Sequence, residues 1–286
     1  MQNPLSYVYH LHELLADEAF ENSPYEVFTR QTGGKIREIY KLPFYPDRVL
    51  HHAIVQVLQP VWMRLLIHQT YSTIPGRGVH EGVRRLKKDV MHVGAKYCLK
   101  LDIQKFYPSV SHEVLLEVLS KKIKDKQMLS LLGKIVRSAP GIPIGNYISQ
   151  WFGNVYLSYF DHWVKETLGC KYYHRYCDDL VLLSDSKEQL HGWLELIRNY
   201  LQDNLKLKVK RNHQVFPVAA RGIDFLGYRF FRGYTLVRKS IVKSMKRRQK
   251  SESSMASYYG WLVHADACRL IAKYYQGKAY AQKLTA

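Results

Sequence analysis

Two adjacent carboxylates, Asp178-Asp179, interrupt an otherwise apolar stretch, with Tyr172, Tyr173 and Tyr176 before them and Leu180-Val181-Leu182-Leu183 after. Apolar runs of strand length flanking a short polar break predict strand, tight turn, strand, with the acids at the tip. Such a pair on its own is commonly turn chemistry, because Asp bonds readily to its own turn backbone. The rest of the chain decides between that reading and a working acid pair.

The flanking pattern is mixed. Residues 1–95 read as largely helical, broken by Gly33-Gly34, Pro43 and Pro46, with Arg30, Lys35, Arg37 and Lys41 on an expected hairpin around those breaks. A helix is predicted from about Asp47 to Leu66, with Val49, Leu50, Ala53, Ile54, Val57 and Leu58 on one face. Within it, His51-His52 are read as packing or surface residues. Pro75-Gly76-Arg77-Gly78 has turn chemistry, and a further helix is expected after it.

Tyr97 to Ile103 alternates as a strand carrying Asp102, and Ser111 is an N-cap for a helix to about Ile123. After the loop Gly141 to Gly145, one long helix is predicted through Ile148, Trp151, Phe152, Val155, Tyr156, Tyr159 and Trp163, ended by Gly169. Ser186 with Gln189 forms a capping-box pattern. Strands are expected at Leu207–Lys210 and Phe225–Phe231, and a helical C-terminus after them. The order strand, helices, hairpin, helix, strands is that of an α+β, ferredoxin-like antiparallel sheet backed by helices.

Charge narrows the function. The net charge is +19, and residues 205–250 hold fourteen Lys or Arg against the single acid Asp224. Such a surface suits a polyanion, most commonly nucleic acid. Cys98, Cys170, Cys177 and Cys268 have no Cys-x-x-Cys spacing, which argues against a zinc site or a disulfide framework and favours a reducing cytoplasm. No apolar run approaches the roughly 20 residues of a membrane span, and the first residues lack signal-peptide order.

If the strand of Asp102 neighbours the hairpin, three carboxylates meet at one sheet edge. Carboxylate oxygens are hard ligands suited to Mg²⁺. Two such ions about 3.5–4 Å apart are the recurring clamp for in-line phosphoryl displacement.

The motifs, taken in order, resemble those of reverse transcriptases. Leu101 to Ser109 resembles the first palm motif, Tyr176 to Asp179 the Tyr-x-Asp-Asp box, Phe225-Leu226-Gly227-Tyr228 the primer-grip hairpin, and Pro75 to Gly78 a fingers loop of bacterial members. The resemblance covers nearly the whole chain from about residue 30. Retron and group II intron members usually carry Gln where this chain has Ile144, and a pair such as Ser-Pro in place of Ser149-Gln150. The form Ile144-Gly145-Asn146-x-x-Ser149-Gln150 resembles the enzymes of diversity-generating retroelements, and Tyr258 to Asp266 is similar to their thumb segment.

The resemblance implies a right-hand polymerase fold: N-terminal region and fingers over 1–95, palm over 96–231 with a fingers excursion near 124–145, and a helical basic thumb over 232–286. It implies that Asp102, Asp178 and Asp179, with the Ile103 carbonyl, hold two Mg²⁺, for which Mn²⁺ can substitute. Tyr107 matches the steric gate against 2′-hydroxyls. Lys35 and Arg37 match residues gripping the triphosphate, a task that suits a guanidinium fork. Ile144, Gly145, Asn146 and Gln150 match the nucleotide site, and Lys210 a position near the leaving pyrophosphate.

Arg77 and the Phe225–Tyr228 hairpin are expected to hold template and primer, and Lys239, Lys243, Lys246, Arg247 and Arg248 to track their backbone through phosphate contacts. The implied partners are a template-repeat RNA with flanking structured RNA, an RNA/DNA hybrid, dNTPs and a small basic oligomeric accessory variability protein, in the cytoplasm of a bacterial host. Glu13, Asp17, Glu18 and Glu21 are the candidate acids for a basic partner.

Overall fold

The computed structural model describes residues 4–32 and 34–276. Gly33, expected to help break the N-terminal region, and residues 277–286 of the expected thumb lie outside them. In chain order the elements begin with α1 (Pro4–Ala16), β1 (Glu26–Thr32), β2 (Lys35–Lys41), α2 (Val49–Met63), α3 (Val79–Val90) and β3 (Tyr97–Asp102). Next come α4 (His112–Ser120), α5 (Lys126–Arg137), α6 (Tyr147–Tyr156), α7 (Ser158–Glu166), β4 (Tyr172–Tyr176), β5 (Asp179–Ser184) and α8 (Lys187–Leu205). The chain continues with β6 (Gln214–Pro217), α9 (Val218–Arg221), β7 (Ile223–Phe225), β8 (Tyr228–Phe231) and β9 (Tyr234–Val237). It closes with α10 (Lys239–Arg247), α11 (Glu252–Leu262) and α12 (Cys268–Tyr275).

These elements form two compact units. One comprises Met1–His68, Ile103–Leu168 and Leu196–Lys210, and the other Gln69–Asp102, Gly169–Glu195 and Arg211–Ala286.

In the first unit β1 and β2 pair as the expected antiparallel hairpin, with Lys41 bonded to Glu26 at 2.7 Å across the strands. The same register sets Arg30 directly opposite Arg37, a like-charge cross-strand pair, which disfavours the hairpin in the absence of an anion. The segment Phe44–Arg48, kinked at the extended Tyr45 (φ −118°, ψ 137°), leads into α2. The face that α2 buries is Leu50, His51, Ile54, Val55, Leu58 and Trp62, with Val57 65% exposed. The expected face is thus rotated: Ala53 and Val57 point outward, because Trp62 sets the stripe that meets α6. The Trp62 ring lies 5.9 Å from that of Trp151.

The predicted single helix after Gly145 is two helices. At Leu157 (φ −90°, ψ 0°) the ladder breaks, and the Ser158 hydroxyl donates to the Val155 carbonyl at 2.7 Å. A Ser oxygen that competes for the helical carbonyls bends helices in this way. Ser111 caps α4 as expected by accepting from Val114 N, but α4 ends at Ser120 rather than Ile123. The expected strand at Leu207–Lys210 is a single bridge between Ile103 and Val209, with Gln104 N donating to Lys208 O at 2.7 Å.

In the second unit the four-stranded sheet has the order β4-β5-β3-β6, every neighbouring pair antiparallel. Counted within the sheet this is 2-3-1-4, the arrangement of a βαββαβ ferredoxin-like unit. The β7-β8-β9 meander adds a second sheet. The alternation read as one strand over Phe225–Phe231 is divided into the hairpin that the resemblance implied, because Leu226 (φ +53°) and Gly227 (φ +83°) turn the chain between β7 and β8. One core joins α3 (Val83, Leu86, Val90), the sheets (Cys98, Val181, Phe225, Tyr228) and the C-terminal helices (Met245, Met255, Tyr259, Leu262). Ser186 accepts from Gln189 N at 3.0 Å, while the Gln189 side chain bonds to Ser184 instead of closing the box.

Candidate catalytic carboxylates and nucleotide-binding loop

The acids of the second unit meet because two antiparallel strands end together. Register pairs Asp102 of β3 directly with Asp179 of β5, and Tyr176 with Asp179 across the two-residue turn Cys177-Asp178. Cys177 takes a positive φ of +52°, a conformation costly for a residue with a side chain. Its carbonyl accepts from the fully buried Arg175 guanidinium at 3.1 Å, and its thiol donates to Ser72 at 2.9 Å. All three acids are half-buried.

Burial pushes the Asp179 carboxyl up to about 6 against the pull of the Lys100 ammonium, and the charges of Asp102 and Asp178 push it the same way. Lys100 Nζ lies 2.6 and 2.9 Å from the two Asp179 oxygens. Among the described residues no three acid, imidazole or thiol side chains already converge to hold one ion. The donor set nonetheless suits a hard cation. It is all-carboxylate, mutually repelling, and already carries an ammonium astride one member.

Behind the turn, a segment from another part of the sequence lies along β4. Arg175 N donates to Gln69 O at 2.9 Å and Tyr71 N to Arg175 O at 3.1 Å. The buried His174 has Nδ1 2.8 Å from the Tyr71 hydroxyl and Nε2 3.0 Å from Asp89 Oδ2 on α3. This polar chain ties α3, the Gln69–Ser72 segment and β4 together, and so fixes the strand that presents the acids.

In the first unit the Ile144–Asn146 loop, which holds three of the expected nucleotide residues, is fastened to β2 and to Tyr25. Tyr40 N of β2 donates to Ile144 O at 2.8 Å. Gly145 has φ +129°, and a Cβ there would lie 2.3 Å from the Tyr40 carbonyl, so only glycine lets loop and strand approach. Asn146 is buried and donates to the Tyr25 hydroxyl at 2.9 Å; that hydroxyl is 2.8 Å from Ser138 Oγ and 3.2 Å from Asn22 Nδ2. Tyr107 stands half-buried on a short 3-10 turn, its carbonyl accepting from Ile142 N at 2.8 Å. Arg37 is exposed on β2, and Gln150 is exposed on α6. Lys35 opens β2, and Lys210 follows the Val209 bridge in the same unit as Ile103.

The expected template–primer residues all belong to the second unit. Arg77 closes the Pro75–Gly78 turn, its N–H donating to Ile74 O at 3.0 Å. Phe225, Leu226 and Tyr228 are buried, and the Tyr228 hydroxyl donates to Trp261 O at 3.0 Å. These aromatics seat the hairpin rather than offer a surface. Lys239, Lys243, Lys246 and Arg247 fall at i, i+4, i+7 and i+8 of α10, all exposed, with Arg248 at its end and Met245 buried on the opposite face. The acids Glu13, Asp17, Glu18 and Glu21 are exposed, with Glu21 3.1 Å from Lys134.

Sequence reasoning missed Lys100, whose signal was available: a lone Lys inside the apolar strand Cys98–Asp102, two residues from the acid and so on its face. It also missed Tyr25, Asn22, Ser138, Tyr71, His174 and Asp89, which carry no motif. Their partners lie far off in sequence.

A model of the family described as reverse transcriptase (RNA-dependent DNA polymerase) matches residues 29–230. The chain is similar to Protein YkfC of Escherichia coli, at 24% identity over 81% of this chain and 72% of that protein. It is also similar to the Retron Ec86 reverse transcriptase of Escherichia coli, at 25% identity over 58% of this chain and 51% of the relative. Among solved structures, telomerase from Candida tropicalis in complex with a fragment of telomeric RNA superposes with a TM-score of 0.59 at 13% identity. That match covers 85% of this chain and 52% of the telomerase chain, about half its length, and it shows a shared fold: the α+β right-hand polymerase fold expected from the motifs.

Proposed function

This chain belongs to the reverse transcriptase family and carries an RNA-dependent DNA polymerase domain, and from that premise we propose that it is the polymerase of a diversity-generating retroelement. It would copy a template-repeat RNA into cDNA with errors concentrated opposite adenine. The observation that carries the polymerase reading is the register pairing of Asp102 with Asp179 beside Asp178. The subtype rests on Ile144-Gly145-Asn146 and Ser149-Gln150.

In this reading Asp102, Asp178 and Asp179, with the carbonyl of Ile103, hold two Mg²⁺. Bound there, the ions lower the pKa of the primer hydroxyl and neutralise the departing pyrophosphate. The chain's own residues do the rest. Arg175 and His174 hold the acid turn in place. Tyr107 excludes a 2′-hydroxyl; Lys35 and Arg37 grip the triphosphate, and Lys210 stands by the leaving group. Ile144, Gly145, Asn146 and Gln150 shape the seat of the new base pair. Arg77 and the β7–β8 hairpin, seated by the buried Phe225, Leu226 and Tyr228 and turned at Gly227, set the primer, and Lys239, Lys243, Lys246, Arg247 and Arg248 track the phosphates. In functional terms, 1–95 serves as the N-terminal region and fingers, 96–231 as palm with a fingers excursion near 124–145, and 232–286 as thumb. A basic oligomeric accessory protein and the flanking structured RNA complete the assembly in a bacterial cytoplasm. For the membrane, the relevant fact is that no helix among the described residues is long and apolar enough to cross one.

The second reading is an ordinary-fidelity reverse transcriptase of retron or intron type, favoured by the similarity to the retron enzyme. Primer extension on the cognate RNA, followed by sequencing of the cDNA, separates the two. Substitutions clustered at template adenines are expected, and evenly sparse errors would select the second reading. Asp178→Ala is expected to reduce extension to background; full activity in that variant would remove the polymerase assignment.

A further inference from the structure

Lys100 is placed to do more than neutralise a strand end. Strand alternation puts it on the same face as Asp102, and register puts Asp102 opposite Asp179, so the ammonium reaches Asp179 diagonally across the sheet. It straddles both carboxylate oxygens, at 2.6 and 2.9 Å. Both side chains are largely shielded, 23% exposed for Lys100 and 26% for Asp179. The stem is also steered from the other side, since Nζ lies 5.3 Å from the centroid of the Phe225 ring, an electron-rich face that favours a cation.

We propose that Lys100 is a positioning residue that serves as the resident counter-cation of the acid cluster, holding Asp179 while no divalent ion is bound and competing with that ion for the same two oxygens. The inference rests on the reading that the three aspartates take divalent ions. Its physical basis is exclusion: an ammonium and a metal ion cannot both occupy the inner lone pairs of one carboxylate, because their charges repel at that distance. Entry of the ion therefore requires Nζ to leave at least one oxygen, and the Phe225 ring offers it a nearby seat. When the ion departs, Lys100 returns and keeps Asp102, Asp178 and Asp179 from splaying apart. Divalent affinity is thus an exchange between two cations rather than simple filling of a site.

The test measures Mn²⁺ binding to the full chain by the loss of the free-ion electron paramagnetic resonance signal, without nucleotide or nucleic acid. Lys100→Met is expected to bind Mn²⁺ about two- to fivefold more tightly than wild type, the range that loss of one partly exposed ion pair allows. Its melting temperature without the ion should be lower, and the deficit should narrow as Mn²⁺ is added. Lys100→Arg, which keeps the charge, should stay near the wild-type affinity. Lys100→Gln carries the same expectation as methionine if that variant does not fold. Unchanged or weaker Mn²⁺ binding in both neutral variants would overturn the role of Lys100 alone. Wild-type binding that is unaffected in an Asp102→Asn, Asp178→Asn double variant would instead overturn the metal reading, and the Lys100 role with it.

Discussion

Asn146 closes the Ile144–Asn146 segment, yet its side-chain amide is turned into the protein, toward the Tyr25 hydroxyl. Any influence it has on a base pair passes through the backbone it holds, and Tyr25 shares that task. Removing the hydroxyl in Tyr25→Phe leaves the buried Asn146 amide short of an acceptor, while Asn22 keeps its bond to Ser138 Oγ, a loss of about 1–3 kcal/mol. Urea unfolding should show it, and a variant as stable as wild type would mean the network is dispensable. Ile144 contributes differently. Its carbonyl is committed to Tyr40 N, leaving an apolar side chain without a polar handle for an incoming nucleotide. Ile144→Gln is expected to lower the frequency of errors at template adenine in sequenced cDNA, with little change in melting temperature. An error spectrum identical to wild type would show that the residue only packs.

Among the elements, the β7–β8 hairpin shows how a turn glycine couples sheet to helix. Gly227 has φ +83°, and a Cβ there would stand 2.4 Å from the Trp261 ring of α11. Gly227→Ala therefore combines backbone strain with a clash and should cost about 2–4 kcal/mol, read as a fall in the urea midpoint. No change would mean that Trp261 can swing away freely.

Legibility in the sequence follows the same division between local and distant causes. The acid hairpin, the strand of Asp102 and the Ser111 cap were readable because period, turn chemistry and capping act over a few residues, whereas the edge strand β6 carried no such signal. Strand Leu207–Lys210 shrank to a bridge because alternation says nothing about whether a partner strand runs alongside. The break at Leu157 needed the hydroxyl of Ser158 to reach Val155, a choice between two carbonyl partners that hydrophobic spacing does not encode. Tyr25, Ser138 and Asn146 meet across separations of 113 and 121 residues, and no local pattern announces such a meeting. Lys100 is the intermediate case, since its anomaly was visible but its partner was not.

For the whole molecule, charge outweighs any single contact. A chain of net charge +19 with a lysine- and arginine-lined α10 should bind an RNA/DNA hybrid with strong dependence on salt. Replacing Lys243 and Lys246 together by Ala should reduce the slope of log affinity against log salt by about 0.7–0.9 per residue, for all sequences alike. An unchanged slope would show that α10 faces away from the duplex. The same electrostatics acts in miniature on the β1–β2 hairpin, where Arg30 and Arg37 are forced to confront each other across the strands. That register sets two like charges side by side, and a polyphosphate lodged against them would offset their repulsion as well as add contacts. Cargo and rigidity would then arrive in one event, stiffening the arm only when there is something to grasp.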